Sequence, residues 1–161
     1  MNNTIDITEN MLNPAFCGKC LLLVLEGYNK KNDSKGIPYS LLILVLPFLL
    51  VKEIRKTLPA NSKEKFYEWT QTNAAQLINF HTIVQGYMPY TEKALMFLFS
   101  LNILKIEENG MINISEKNYK KGWDNSIEEL NEVFKKAKCL GRWFGTINSE
   151  SMIYLHLKIK L

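Results

Sequence analysis

The first apolar stretch of the chain predicts a helix at the centre of the fold. Asn13 can cap this helix through its side-chain oxygen, and Pro14 suits the first helical position because the donor it lacks would be unpaired there. Every residue from Leu21 to Leu25 is apolar, which predicts burial on all sides of the helix. The helix should end at Gly27, before a polar loop over residues 29–36.

A second apolar stretch covers residues 38–56 and predicts another buried helical segment. Pro47 lies in its middle and should kink or divide it, because the proline ring displaces a backbone hydrogen bond. Leu58-Pro59 should close this segment. Ser62 is then placed to cap a short helix that runs through Trp69.

Residues 73–100 carry the pattern of two helices separated by a short break. One helical face collects the side chains of Leu77, His81, Val84 and Met88. The segment Gly86–Pro89 should break the chain, so that Thr91 can cap a second helix ending near Ser100.

Residues Ile103–Ile114 predict a β-hairpin whose register follows from its apolar positions. A two-residue turn would mix apolar and polar side chains on each face of the hairpin. A three-residue loop over residues 108–110 pairs Ile106 with Ile112 and Leu104 with Ile114, which puts all four apolar residues on one face. We therefore expect this loop, with Gly110 in the left-handed conformation. Helix, helix and hairpin in this order are typical of a winged-helix domain.

The C-terminal part predicts one helix and one strand. A capping box at Ser126–Glu129 should start the helix, whose apolar stripe comprises Ile127, Leu130, Phe134, Ala137 and Leu140. Alternating apolar residues over 152–161 then predict a strand with a basic outer face. The expected fold class is mainly α with a small β-hairpin (α+β), a winged-helix-like domain with additional N- and C-terminal helices.

The expected organisation is a single domain over residues 1–161. It would comprise an N-terminal helical part (13–72), a helix-turn-helix with its wing hairpin (73–115), and a C-terminal helix and strand (125–161). With 161 residues, 47% hydrophobic and 22% charged, the chain is ordinary for a globular protein.

Composition also favours a cytoplasmic protein. The apolar run Leu41–Val51 is shorter than the roughly 20 residues that a membrane-spanning helix needs, so no membrane partner is expected. The N-terminus is polar, and the odd count of three cysteines favours reduced thiols.

The basic residues favour loose phosphate contact over base reading. The net charge is +4, and of the 20 basic residues only Arg55 and Arg142 are arginines. Lysine lacks the planar fork that reads guanine, and the predicted recognition helix over residues 91–100 has no arginine, asparagine or glutamine. We therefore expect DNA contact to be indirect or non-specific, with four lysines as candidates for contacts to the DNA backbone: Lys120, Lys121, Lys158 and Lys160.

No residue pattern in the chain supports an enzyme. Cys17 and Cys20 form a CxxC motif, but no strand precedes it as in a thiol oxidoreductase, and zinc would need two further ligands. His81 lies on an apolar helical stripe and His156 on the outer face of the predicted strand. Phosphate-binding loops, nucleophile elbows and metalloprotease motifs are absent. We expect no catalytic residues, no metal and no cofactor.

Several short segments, in order, resemble one known family. The chain resembles the middle component of three-component ABC ATPase systems, a group of prokaryotic conflict modules that includes the Lamassu type. The matching segments run in order from residue 13 to residue 144: Asn13-Pro14-Ala15-Phe16, Pro38-Tyr39-Ser40-Leu41-Leu42, Leu46-Pro47, Lys52-Glu53-Ile54-Arg55 through Leu58-Pro59, Trp69, Pro89-Tyr90-Thr91 with Ala94-Leu95, and Leu140-Gly141-Arg142-Trp143-Phe144.

The resemblance implies a non-catalytic adaptor. Such a subunit would associate with a large SMC- or Rad50-like ABC ATPase and with an effector, often a nuclease, in defence against phage or plasmid DNA. The candidate protein-interface residues lie in the matching segments: Asn13, Pro14, Arg55, Pro59, Thr91, Arg142, Trp143 and Phe144.

Each of these residues also has a structural alternative. Asn13, Pro14 and Thr91 suit helix capping. Arg142-Trp143-Phe144 combines residue types that are enriched at binding hot spots, but an internal salt bridge beside a core tryptophan would explain the same residues. The alternative function is a stand-alone winged-helix DNA-binding transcriptional regulator.

Overall fold

The computed structural model describes residues 12–115, 128–147 and 149–160. These residues form a mainly helical structure with one small antiparallel sheet, which confirms the predicted α+β class. The elements in chain order are α1 (Pro14–Asn29), α2 (Tyr39–Leu50), α3 (Lys52–Arg55), α4 (Phe66–Thr72), α5 (Phe80–Ser100), β1 (Leu104–Ile106), β2 (Ile112–Ile114), α6 (Glu128–Gly145) and α7 (Glu150–Leu157).

Helix α1 is the central element, and its predicted start is confirmed. Asn13 accepts a hydrogen bond from the backbone N–H of Ala15 at 2.7 Å, and Pro14 is the first helical residue. The helix packs against α2, α5 and α6, so the all-apolar segment Leu21–Leu25 is buried. Its predicted end is wrong, because the helix continues through Gly27 to Asn29.

Helices α1 and α6 run parallel and in close contact. The rings of Phe16 and Phe134 meet at a tilt of 37° near the start of the contact, with centroids 5.5 Å apart. Towards the other end, Gly141 lies against Val24. The contact therefore joins residues that are more than a hundred positions apart in sequence.

Two glycines allow this close approach. A Cβ atom added at Gly141 would lie 2.0 Å from the carbonyl oxygen of Val24, and one added at Gly27 would lie 2.4 Å from that of Lys138. Both obstacles are backbone atoms, which cannot move aside as a flexible side chain can. Gly27 thus serves the packing of α1 on α6, which explains why the helix does not stop there.

Helix α2 passes through Pro47 and ends three residues later. The backbone leaves the helical conformation at Val51, with ψ of 106°, and α3 follows directly. The predicted division of this stretch therefore exists, but at Val51 rather than at Pro47. All residues from Leu41 to Leu49 are buried, and this packing outweighs the hydrogen bond that the proline removes.

Helix α4 begins at Phe66, four residues after the predicted cap. Ser62 therefore does not cap it, and Lys65 occupies the position before the first helical residue. The segment between α3 and α4 forms turns whose carbonyl groups accept hydrogen bonds from side chains of α4 and α6. Among the described residues no side chain caps the helix, and these bonds hold the segment that leads into it.

Helix α5 is continuous, so the predicted break at Gly86–Pro89 is wrong. The residues before Asn79 form turns, and a single helix then spans both Gly86 and Pro89. Thr91 consequently lies inside the helix, where it is fully buried, and does not cap a second one. Residues 73–100 therefore do not form the helix-turn-helix that the winged-helix interpretation required.

The register of the hairpin is as predicted. Leu104 pairs with Ile114 and Ile106 with Ile112, and Gly110 has a left-handed φ of 80°. Ile112 also forms a bridge with Ile37, which joins the hairpin to the loop before α2.

The two faces of the hairpin differ from the expectation. Leu104 and Ile112 are buried, but Ile106 at the tip is 66% exposed. Asn113, on the face opposite the apolar residues, is buried and bonds to the side chains of Asn29 and Glu107. The polar face therefore anchors the hairpin to the C-terminal end of α1.

The apolar stripe of α6 is confirmed from residue 130 onward. Phe134, Ala137 and Leu140 are buried and Leu130 is partly buried. The predicted cap Ser126 and the first residue of the predicted stripe, Ile127, lie outside the described residues.

The predicted C-terminal strand is wrong, because residues 150–157 form helix α7. A helix buries Ile153, Tyr154 and Leu157 together, whereas a strand would have buried Leu155, which is 66% exposed. The hydroxyl of Tyr154 donates a 2.5 Å hydrogen bond to the carbonyl oxygen of Ser40, and the Ser40 hydroxyl bonds to Glu150. These contacts fix α7 on the start of α2.

Within the described residues, no helix combines the length and the apolar character needed to cross a bilayer.

Candidate interaction site

The segment between α3 and α4 is held by side chains that donate to its backbone carbonyl groups. Trp69 Nε1 donates to Thr57 at 2.8 Å and Trp143 Nε1 donates to Glu64 at 2.7 Å. From α6, Lys136 Nζ donates to the carbonyl oxygen of Leu58 at 2.8 Å and Cys139 Sγ lies 3.7 Å from that of Ala60. We call residues 57–64 the anchored loop, since these bonds define its path.

The anchored loop brings three predicted site residues together. Pro59 lies within it, half-buried, and Trp143 is bonded to it directly. Arg142 reaches the same region, because its Nη2 atom lies 3.8 Å from the sulfur of Cys139, which contacts Ala60. Within the described part of the chain, three of the predicted site residues therefore converge in this region.

Trp143 and Phe144 belong to an aromatic core and present no surface to a partner. Trp143 lies 5.1 Å from Phe66 and 5.3 Å from Trp69 between ring centroids, and Phe144 meets Phe48 edge-on at 5.8 Å. Both are at most 1% exposed. The structural alternative, a core tryptophan, therefore describes Trp143, and direct partner contact by either residue is contradicted by burial.

Arg142 differs from its neighbours because its side chain is only half-buried. Among the described residues it forms no ion pair, so the internal salt bridge is not seen there. A guanidinium group placed at the surface beside a fixed loop can pair with a carboxylate in two parallel hydrogen bonds.

Arg55, the other arginine, is a core residue. It is 3% exposed, and its Nη1 atom donates a 2.7 Å hydrogen bond to the carbonyl oxygen of Leu49 near the end of α2. Cations are favourable at helix C-termini, where carbonyl groups lack helical partners. Its Nε atom has no hydrogen-bond partner among the described residues. Arg55 thus stabilises the junction of α2 and α3 from inside and cannot contact a partner.

The capping candidates divide into one exposed pair and one buried residue. Asn13 is exposed and Pro14 partly so, at the start of α1. Thr91 is fully buried in α5, and its hydroxyl has no partner among the described residues. Asn13 and Pro14 are therefore accessible to another protein, whereas Thr91 is not.

Two of the four candidate lysines can be placed. Lys158 and Lys160 are exposed after the end of α7. Lys120 and Lys121 lie outside the described residues.

The CxxC motif lies inside α1 and packs in the core. Cys17 and Cys20 are fully buried, and burial raises the pKa of the Cys17 thiol to about 12 and the pKa of the Cys20 thiol further. A thiol that stays protonated is a poor nucleophile and a poor metal ligand. In the described residues, no three histidine, cysteine or acidic side chains lie close enough to hold a metal ion.

Sequence reasoning missed the packing glycines. Gly141 lies on the buried stripe of α6, four residues after Ala137, and a glycine inside a helix is costly unless close packing requires it. This spacing of small residues was the available signal.

The described structure therefore shows a helical core in which most motif residues are structural, with Arg142, the anchored loop and the start of α1 at its surface. A family profile, Middle Component 3 of ABC-three component (ABC-3C) systems, matches residues 1–161. The chain belongs to this family. No curated protein and no solved structure is detectably similar to it. A Middle Component 3 chain is an accessory subunit of an ABC-3C system, so its partners lie within that system.

Proposed function

We propose that this chain is a non-catalytic adaptor that joins the SMC- or Rad50-like ATPase of its ABC-3C system to an effector nuclease. The assembly would act in the cytoplasm against phage or plasmid DNA, as in Lamassu-type defence. The observation that carries this proposal is the Middle Component 3 match over the full chain.

The chemistry of the described side chains supports a role without catalysis. The groups that would first be examined as nucleophiles, the thiols of Cys17 and Cys20, are buried and have raised pKa values. Trp69, Lys136 and Trp143 use their donors on backbone carbonyl groups, which is a structural use.

Arg142 and the anchored loop are the proposed contact for the ATPase. The loop is fixed before binding, so its surface would lose little conformational entropy on association. Arg142 would pair with a carboxylate of the partner, and Asn13 and Pro14 would contribute a second, smaller contact.

DNA contact by this subunit would be indirect or confined to the phosphate backbone. Helix α5 is continuous and its outer face carries Glu92 and Met96, so it supplies no separate recognition helix. Lys158 and Lys160 could supply charge alone, and Lys120 and Lys121 remain candidates on sequence grounds.

Co-expression with the ATPase proposed as its partner in the ABC-3C system tests the proposal. The tagged chain should co-elute with the ATPase in size-exclusion chromatography. Arg142→Ala should weaken the complex about tenfold, as truncation of an interface arginine does. Lys93→Ala, at an exposed lysine of α5, is the control and should bind as the wild type does.

Two results would contradict these statements separately. If the chain elutes as a free homodimer that shifts one specific duplex, the adaptor role is wrong and the DNA-binding regulator is correct. If Arg142→Ala binds the ATPase as tightly as Lys93→Ala, the adaptor role stands but the contact lies elsewhere.

A further inference from the structure

The outer side of α4 and α7 exposes a group of apolar and aromatic side chains. Tyr67 on α4 is 54% exposed, and Met152 and Leu155 on α7 are 45% and 66% exposed. His156 is partly exposed between them. We call these four residues the α4–α7 surface.

Ring contacts show that the surface is continuous between the two helices. The His156 ring lies 5.1 Å from the Tyr67 ring and 6.4 Å from the Phe66 ring between centroids. Met152 precedes His156 by one helical turn, and Leu155 follows Met152 by three residues, so both lie on the adjoining outer side of α7.

Helix α7 is firmly docked, so this exposure is not that of a frayed end. Its inner side buries Ile153, Tyr154 and Leu157, and Tyr154 is bonded to the Ser40 carbonyl group. A fixed helix that leaves Leu155 and Met152 in water presents a preformed apolar surface, which is typical of a protein-binding site.

Charges around the surface are mostly positive. The contact of His156 with Phe66 brings the end of α7 close to the start of α4, and lysines precede α4 and follow α7. Lys65 forms a 3.7 Å ion pair with Glu68. Four lysines and three glutamates lie on or beside the two helices, and Glu150 among them bonds to Ser40 at the start of α2: Lys63, Lys65, Lys158, Lys160, Glu64, Glu68 and Glu150.

We propose that the α4–α7 surface binds an amphipathic helix of the ATPase subunit. Apolar side chains of that helix would cover Tyr67, Met152 and Leu155, and carboxylates on its flanks would face the lysines. The anchored loop leads directly into α4, so this surface adjoins the contact proposed for Arg142. This inference rests on the proposed function, because it takes the ATPase as the partner.

The apolar centre favours a protein partner over nucleic acid. Lysines alone would suit phosphate, but phosphate offers nothing to cover Leu155 and Met152. A helix with an apolar stripe and acidic flanks satisfies both features of the surface at once.

Binding of purified ATPase to variants of the full chain tests the inference. Leu155→Glu and Met152→Glu should each weaken binding at least tenfold in biolayer interferometry. Met96→Glu is the matched control, since Met96 is 71% exposed on α5, and it should bind within twofold of the wild type. Leu155→Ser provides a milder variant if the glutamate variants do not fold, as judged by circular dichroism.

The double variant Lys158→Glu with Lys160→Glu tests whether these lysines face carboxylates of the partner. We expect weaker binding to the ATPase and a smaller dependence of the dissociation constant on salt. Unchanged affinity at low salt would overturn the assignment of acidic flanks to the partner.

The outcomes separate this inference from the proposed function. If the wild type binds the ATPase and all α7 variants bind equally well, the surface is wrong and the function stands. If the wild type does not bind at all, the proposed function is wrong, and this inference is wrong with it. If Leu155→Glu instead dissociates a homodimer while ATPase binding is unchanged, a second copy covers the surface and the inference is overturned.

Discussion

Gly141 in α6 and Gly86 in α5 lie inside two long helices, yet their surroundings are opposite. A Cβ atom at Gly141 would overlap the backbone of Val24, whereas one at Gly86 would meet nothing within 4 Å. The first glycine allows two helices to touch. The second borders open space, so its lack of a side chain is not needed for packing.

The region around Gly86 is less tightly packed than the region around Gly141. It lines an open, mostly apolar groove of about 360 Å³, together with Leu12, Val51, Ile83, Tyr87 and Tyr90. Pro89 lies three residues further along the same helix and removes a backbone hydrogen bond. Glycine has a low helix propensity, and here it occurs both where two helices touch and where a helix borders open space.

The largest effect is expected at the tight contact. Gly141→Ala should lower the free energy of unfolding by about 3 kcal/mol, because α1 and α6 must separate to admit the methyl group. Urea denaturation followed by circular dichroism measures this change.

Whether Gly141→Ala lowers or raises the free energy of unfolding tests the backbone contact between α1 and α6. Alanine is favoured over glycine in helices by about 1 kcal/mol, so a stabilising Gly141→Ala substitution would show that the helices are not in backbone contact.

Thiol labelling should report on the α1–α6 contact in the intact protein, because all three cysteines lie in these two helices. Cys139 is partly exposed and should react quickly with a maleimide at pH 8, whereas Cys17 and Cys20 are buried in α1 and should react only on unfolding. In Gly141→Ala the two slow thiols should react about a hundredfold faster, since the population of unfolded protein rises with the lost stability. Mass spectrometry at successive times gives both rates.

The labelling control is Gly86→Ala, in which Cys17 and Cys20 should stay as protected as in the wild type. Equal labelling rates in the two variants would mean that the α1–α6 contact does not protect the thiols.

The smallest effect is expected in α5. Gly86→Ala should raise the free energy of unfolding by about 1 kcal/mol, because the new methyl group meets no atom and alanine restricts the unfolded chain. Differential scanning calorimetry should show a higher melting temperature. A lower melting temperature would contradict the open surroundings of Gly86.

Features that depend on a few neighbouring residues could be predicted from the sequence. The Asn13 cap and the loop with Gly110 are determined by local geometry and agree with the structure. The paired positions of the hairpin agree as well, because a one-residue shift would move every apolar side chain to the other face.

Features decided by tertiary packing could not be predicted in the same way. Gly86 and Pro89 are strong signals for a break, but the helix persists because residues on both sides of them, such as Val84 and Leu98, are buried. The apolar residues of 152–159 fit both the two-residue repeat of a strand and the 3.6-residue repeat of a helix. Only the packing of α7 on α2 and α4 selects the helix.

The site residues show the same limit. Asn13, Pro14, Pro59 and Arg142 lie at least partly at the surface, whereas Arg55, Thr91, Trp143 and Phe144 are buried. A motif in one sequence picks out residues without showing whether they serve folding or binding. Only burial and hydrogen bonds distinguish the two.

The parallel contact of α1 with α6 has a consequence for biosynthesis. During translation, the side of α1 that carries Val24 and Gly27 has no partner until α6 is made, more than a hundred residues later. At about 5–20 residues per second, that interval is on the order of ten seconds. The nascent chain would leave this side of α1 uncovered throughout, so aggregation or chaperone capture during synthesis should depend on how soon α6 leaves the ribosome.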